Sequence, residues 1–136
     1  MSVRSFFDTN LLVYTDDHDA PEKQRRALEL LADHRRERSG VVSTQVLQEY
    51  FAAATGDLGV DDTVARRKVE LFARLELVQV EVRSLLAAID HRRLYGGSIW
   101  DALIVRAAVD SRCRLLFTED AGLRGVEGLE VVNPFV

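Results

Sequence analysis

The chain opens with a short run, Val3-Arg4-Ser5-Phe6-Phe7, followed at once by Asp8-Thr9-Asn10 and a second apolar patch, Leu11-Leu12-Val13-Tyr14. The first run is too short for a helix, rich in β-formers and closed by small polar residues, which predicts a buried strand. Thr9 or Asn10 then caps a short helix. Asp8 is thereby set at the carboxyl end of a strand, where the binding crevices of open α/β sheets lie.

The same alternation continues down the chain. Asp16 to Asp19 reads as a loop, and Pro21 opens a helix to about Arg38 with Ala27, Leu28 and Leu31 on one face. Val41-Val42 is a short strand. Ser43 or Thr44 caps the next helix, whose apolar positions are Val46, Leu47, Tyr50, Phe51 and Ala54 and whose C-terminal glycine is Gly56. Asp61 or Asp62 caps a helix with Val64, Leu71, Phe72 and Leu75 inward. Leu77 to Val82 alternates as a strand does; Ser84 then caps a helix carrying Leu85, Leu86 and Ile89, ended by Gly96-Gly97. Ser98 caps a largely apolar helix from Ile99 to about Ser111. Arg114 to Phe117 is a strand, Thr118-Glu119-Asp120 a turn and Leu129 to Val132 a last strand. This succession predicts an α/β fold with a mostly parallel central sheet, formed by residues 1–136 as a single domain.

Composition narrows the function. The net charge of -4 weighs against a strongly basic nucleic-acid binder, unless a bound cation offsets acids gathered in one site. Cys113 is the one cysteine, so no internal disulfide can form, and a reducing cytoplasm is the expected compartment. With no His or second Cys beside it, Cys113 reads as an ordinary thiol rather than a nucleophile. No secretory signal is visible, and no stretch nears the roughly 18 apolar residues that span a bilayer. Arginine dominates the bases, with clusters at Arg35, Arg36 and Arg38, at Arg66-Arg67-Lys68 and at Arg92-Arg93. These suit phosphates, although each also reads as a solvated helix face.

Four acids fall where the predicted elements converge. Asp8 and Asp120 follow strands, Asp101 lies in the first turn of the helix begun at Ser98, and Glu49 borders the apolar face of the helix begun near Ser43. Each has an ordinary reading alone: Ser98 and Asp101 fit a capping box, Asp8 and Asp120 suit caps or turns, and Glu49 suits a surface. Together they would repel unless a cation intervened. The cluster therefore predicts a hard-metal site for Mg²⁺ or Mn²⁺. His18, His34 and His91 share no metal-ligand spacing, which disfavours zinc.

Asp8-Thr9-Asn10 after its strand, Ser43 to Tyr50 with Glu49, Ser98-Ile99-Trp100-Asp101-Ala102, and Leu116-Phe117-Thr118-Glu119-Asp120 resemble the successive motifs of PIN-domain ribonucleases. The resemblance covers essentially the whole chain, and the length is similar to the VapC toxins of bacterial toxin–antitoxin pairs. It implies a PIN-like three-layer α/β/α sandwich and a metal-dependent endoribonuclease that hydrolyses RNA phosphodiester bonds. Asp8, Glu49, Asp101 and Asp120 would be the acidic quartet, with Thr118 as a polar helper. Asp8 and Asp101 are the expected direct ligands of Mg²⁺ (or Mn²⁺); Glu49 and Asp120 would orient water or hold a second ion. Motif and strand-end position favour Asp120 over Glu119.

The implied partners are a second copy, an RNA substrate and a cognate antitoxin. An amphipathic antitoxin helix is expected on the helices between Thr44 and Leu75, among Tyr50, Phe51, Leu58 and Val60. RNA phosphates are expected on Arg92 and Arg93. The rival reading is a non-catalytic PIN-fold module that binds RNA or a protein. A phosphate-accepting receiver domain would need a lysine after a late strand, and Lys23 and Lys68 are both in predicted helices. A haloacid-dehalogenase-like phosphatase would need aspartate where Asn10 stands.

Overall fold

In a computed structural model, which describes residues 2–136, the first strand is Ser5–Phe7 (β1), fully buried at the centre of the sheet. Thr9–Tyr14 (α1) and Pro21–Glu37 (α2) lead to Gly40–Ser43 (β2); Thr44–Gly56 (α3) and Asp62–Phe72 (α4) lead to Glu76–Val78 (β3). Val82–Tyr95 (α5) and Ile99–Asp110 (α6) then return the chain to Leu115–Phe117 (β4), and Glu130–Val132 (β5) completes the sheet. All pairings are parallel, in the order β3-β2-β1-β4-β5.

Parallel strands need crossovers, and right-handed ones place α1 to α4 on one face and α5 with α6 on the other. The packing agrees: α1 meets α2 and α3, α3 meets α4, and α5 meets α6. The result is a three-layer α/β/α sandwich. Covered on both faces, β1 has no side facing solvent, and even Ser5 is buried, its hydroxyl donating to the Val3 carbonyl. Phe6, Phe7, Leu11, Leu12, Val41, Val42, Val46 and Leu116 form the heart of the core.

The register of the central pair sets the position of the site. Phe7 lies opposite Phe117, so Asp8 and Thr118 leave neighbouring strands side by side. Strand order reverses between β1 and β4, and at that reversal the crossovers diverge and leave a crevice.

Several local expectations are corrected. Asp8 itself, rather than Thr9 or Asn10, occupies the cap of α1. Gly56 is the last residue of α3 and is not left-handed; the left-handed glycine of that turn is Gly59. Val64 is exposed and Ala65 takes the inward position on α4, as Leu30 does in place of Leu28 on α2. The strand expected from Leu77 to Val82 stops at Val78, because β2 offers no partner beyond Ser43, where the chain turns into α3. Helix α5 consequently starts at Val82 without a side-chain cap, and Ser84 lies inside it. Leu85, Leu86 and Ile89, the apolar residues this helix carries, are exposed, and Ala88 is the residue buried against α6. Among the described residues no helix is long and apolar enough to cross a membrane.

Candidate active site

Asp8 ends β1 in an extended conformation (φ -72°, ψ 164°), which aims its carboxylate along the strand axis into the crevice. One oxygen accepts from the Thr9 N–H at 2.7 Å and the other from the Thr118 hydroxyl at 2.7 Å. Burial pushes this carboxyl above its ordinary range; the Thr118 and Thr9 hydrogen bonds oppose that rise, and the charges of Glu49 and Asp120 add to it. Thr118 is the hub beneath the site. It is buried, accepts from the Asn10 amide at 3.1 Å and accepts the Asp120 N–H at 3.0 Å.

Glu49 reaches the same crevice from α3. Its two oxygens accept from the Thr9 hydroxyl at 3.0 Å and from the Gln45 amide at 3.0 Å. That Gln45 amide also donates to the Trp100 carbonyl at 3.2 Å, tying α3 to the first turn of α6. In α6, Ser98 Oγ accepts the Asp101 N–H at 3.0 Å. Ser98 therefore supplies the cap, and the Asp101 carboxylate lines the crevice. Burial raises the Asp101 carboxyl, Asp120 and Glu49 raise it further, and Ser98 opposes them.

All four acids line one cleft of about 470 Å³, with Thr9 and Asn10 among their neighbours. Glu119 lines it too, but its carboxylate is engaged elsewhere. It accepts from the Tyr14 hydroxyl at 2.5 Å and from Lys23 Nζ at 2.9 Å, and Lys23 rests over the Tyr14 and Phe135 rings. Among the described residues no Lys, Arg or His forms an ion pair with Asp8, Glu49, Asp101 or Asp120. Four mutually repelling carboxylates without a basic partner have the donor chemistry of a hard divalent cation. In the present side-chain positions no three of the described acids converge on one point; protein donors hold the carboxylates of Asp8, Glu49 and Asp120 instead.

Sequence reasoning missed Thr9, Asn10 and Gln45 as supports of these acids. The spacing of Gln45 and Glu49, one helical turn apart, was a legible signal; the Asn10–Thr118 bond, spanning 108 residues, had none. Arg92 and Arg93 are exposed and do not line the cleft; Arg92 Nε donates to the Gly97 carbonyl at 3.2 Å. Tyr50, expected in the docking surface, is not available to a partner. It is fully buried, and its hydroxyl donates to Asp16, whose other oxygen accepts from Lys68 at 2.9 Å. Burial and Asp16 hold the Tyr50 hydroxyl far above the ordinary tyrosine range. Phe51 is half-buried in an apolar groove with Leu47, Gln48, Arg66 and Val69, Val60 packs on the core, and Leu58 lines the acidic cleft.

The family model described as the PIN domain matches residues 5–129. Among solved structures, the chain resembles a toxin–antitoxin complex from Klebsiella pneumoniae at 21% identity, covering 96% of this chain and 97% of that one, with a TM-score of 0.68. It resembles VapC20 of Mycobacterium tuberculosis, described as a sarcin–ricin-loop-cleaving toxin, at 20% identity over 90% and 98% of the two chains, with a TM-score of 0.71. FitAcB from Neisseria gonorrhoeae matches at 18% identity over 96% and 98%, with a TM-score of 0.68. At such identities these likenesses speak for the fold. No curated protein matches by sequence.

Proposed function

The chain belongs to the PIN-domain family, and from that premise we propose that it is a metal-dependent endoribonuclease acting as the toxin of a VapBC-type toxin–antitoxin pair. The observation that carries the proposal is the cleft itself: four carboxylates from four different elements, none ion-paired among the described residues. Nucleases of this family generally use divalent metal ions, and the structural neighbours include toxins and a toxin–antitoxin complex.

Asp8 and Asp101 are the proposed ligands of Mg²⁺ (or Mn²⁺), because each projects from a stiff strand end or helix start. When bound, the ion supplies a water of lowered pKa and neutralises charge gathering on the phosphate. The chain does the rest. Thr118 and the Thr9 N–H hold Asp8 in place, and Gln45 and the Thr9 hydroxyl orient Glu49. Glu49 and Asp120 orient the attacking water, and one of the two accepts its proton. The water oxygen bonds to phosphorus as the bond to the leaving sugar oxygen breaks, and the leaving oxygen takes a proton from solvent water. Among the described residues no Ser, Cys or Lys lines the cleft, and the Thr9 hydroxyl is committed to holding Glu49, so water is the direct nucleophile in this scheme.

The partners follow from two other surfaces. The groove at Phe51, Leu47 and Val69 suits an amphipathic antitoxin helix. The exposed α5 stripe, Val82, Leu85, Leu86 and Ile89, suits a second copy of the chain. The test is cleavage of a panel of end-labelled RNAs with Mg²⁺ or Mn²⁺ and with chelator. Metal-dependent cuts that vanish in Asp101→Asn are expected. A protein that binds RNA yet yields no metal-dependent product would be the non-catalytic module instead.

A further inference from the structure

Beside the acidic cleft, across Asp101, lies a second cavity of about 140 Å³, room for a few waters or one flat ring. Asp101 lines both, so anything filling the second cavity abuts the first. Its walls include His91 and Tyr95 of α5, buried Leu123, and Arg124. Its rim is the α5–α6 turn, where Gly96 (φ 78°) and Gly97 (φ 81°) both take a conformation that side-chain-bearing residues rarely adopt. Arg92 braces that turn through the Gly97 carbonyl.

His91 and Tyr95 stand one helical turn apart on the same face, with ring centroids 4.7 Å apart and planes inclined by 48°. Tyr95 is 62% exposed, although it sits at the mouth of a cavity. At about 100° per residue, the pair lies on the opposite half of α5 from Val82, Leu85, Leu86 and Ile89. The aromatic pair is thus separate from the stripe assigned above to a second copy. Burial, and then Arg106, lower the His91 pKa, which keeps the imidazole neutral near pH 7 and able both to stack and to hydrogen-bond.

Resting on the reading of the cleft as an RNA-cleaving site, we propose that this cavity is a nucleobase subsite. An unstacked base of single-stranded RNA, adjacent to the phosphate in the cleft, stacks on Tyr95 beside His91. Arg124 faces a flanking phosphate. Aromatic side chains that receive splayed bases are the common device of single-strand recognition, and a basic rim offsets the repulsion between phosphates and an acidic cleft. The subsite would select which base can lie next to the cut.

The test uses the full chain, with short single-stranded RNAs carrying one abasic position each as probes. Binding is read in chelator, where hydrolysis is off, from the fluorescence of Trp100, the single tryptophan and the neighbour of Asp101. One abasic position should weaken binding to the parent by about 5- to 150-fold, the range for losing one base–aromatic stack. Tyr95→Ala should lose the same factor on intact RNA and become indifferent to that abasic position; Tyr95→Phe should match the parent. In cleavage, Tyr95→Ala should raise KM while leaving kcat nearly unchanged. If Tyr95→Ala binds and cleaves like the parent, the subsite is wrong while the nuclease reading stands. A parent that binds through Tyr95 but never cuts supports the subsite and overturns the nuclease reading. Loss of self-association in Tyr95→Ala, with RNA affinity intact, would make this surface a protein interface and overturn the subsite.

Discussion

The helix-covered face of β1 and its carboxyl end bury polar groups in opposite ways. On the face covered by α2, His34 sits buried between the rings of Phe7 and Phe117, its Nδ1 donating to the Leu30 carbonyl at 2.8 Å and its Nε2 3.2 Å from Ser5 Oγ. At the carboxyl end, Asp8 is equally buried and hydrogen-bonded, but Glu49, Asp101 and Asp120 crowd it and the space in front stays open. The first arrangement closes the core. The second leaves like charges facing a cleft, which costs stability unless something outside the chain neutralises them. A fold retains such an arrangement for function rather than for stability.

The comparison breaks most sharply at Asp101. Asp101→Asn should lower RNA cleavage by more than about 100-fold, since a proposed ligand matters at least as much as the groups that orient ligands. Because Ser98 still caps α6 through the backbone N–H, the metal-free fold should be unharmed or slightly stabilised. Melts with Mg²⁺ and with chelator, beside a cleavage assay, check both halves. Metal should raise the melting temperature of the parent far more than that of the variant.

The closed packing around His34 should respond in stability alone. Phe7→Ala removes a fully buried ring packed on His34 and Phe117, at a cost of about 3–5 kcal/mol in denaturant unfolding. The residual folded fraction should keep its metal-dependent shift in melting temperature. Thr118→Val probes the carboxyl end itself, being isosteric yet unable to serve Asp8, Asn10 and Asp120. Activity should fall about 10- to 100-fold and stability by about 1–3 kcal/mol.

Acidification gives a smaller effect with a definite sign. The folded pKa values of Asp8 and Asp101 lie above the ordinary 3.8. Between 3.8 and those raised values the native state therefore holds more protons than the unfolded chain at these two groups. Their contribution to metal-free stability should rise as pH falls through that window and be unfavourable near neutrality. Other carboxylates act too, so the readout is the difference between the parent and Asp8→Asn or Asp101→Asn in pH-dependent melts. A difference that grew more favourable to the parent with rising pH would contradict the crowding described here. Smallest of all, Leu86→Ala on the exposed stripe should alter monomer stability by no more than about 0.5 kcal/mol while weakening self-association, read by sedimentation.

Much of this was legible in the order of residues. A buried strand needs an apolar run and a polar stop, and Val3 to Asp8 supplies both within six positions. The caps at Ser43 and Ser98 were equally legible, because a cap is a relation between residues three apart. The chain order of Asp8, Glu49, Asp101 and Asp120 relative to strands and helices is enough to set all four at one edge of a parallel sheet.

The sequence by itself thus determined the alternation of strands and helices, the parallel sheet and the edge at which the acids gather, all of which rest on short-range periodicity and on the handedness of crossovers. Tertiary structure alone decided which partner each residue met. An apolar face says that something must cover it but not what: α5 buries Ala88 and leaves Leu86 exposed because, among the described residues, α6 is its only extensive neighbour. Tyr50 went inward for the same kind of reason, drawn to Asp16 and the Phe72 ring. Glu119 and Asp120, adjacent in sequence, were parted by Lys23 and Tyr14 on one side and by Thr118 and Gly122 on the other. Such choices are set by packing and charge across dozens of residues, a range over which local pattern carries no information.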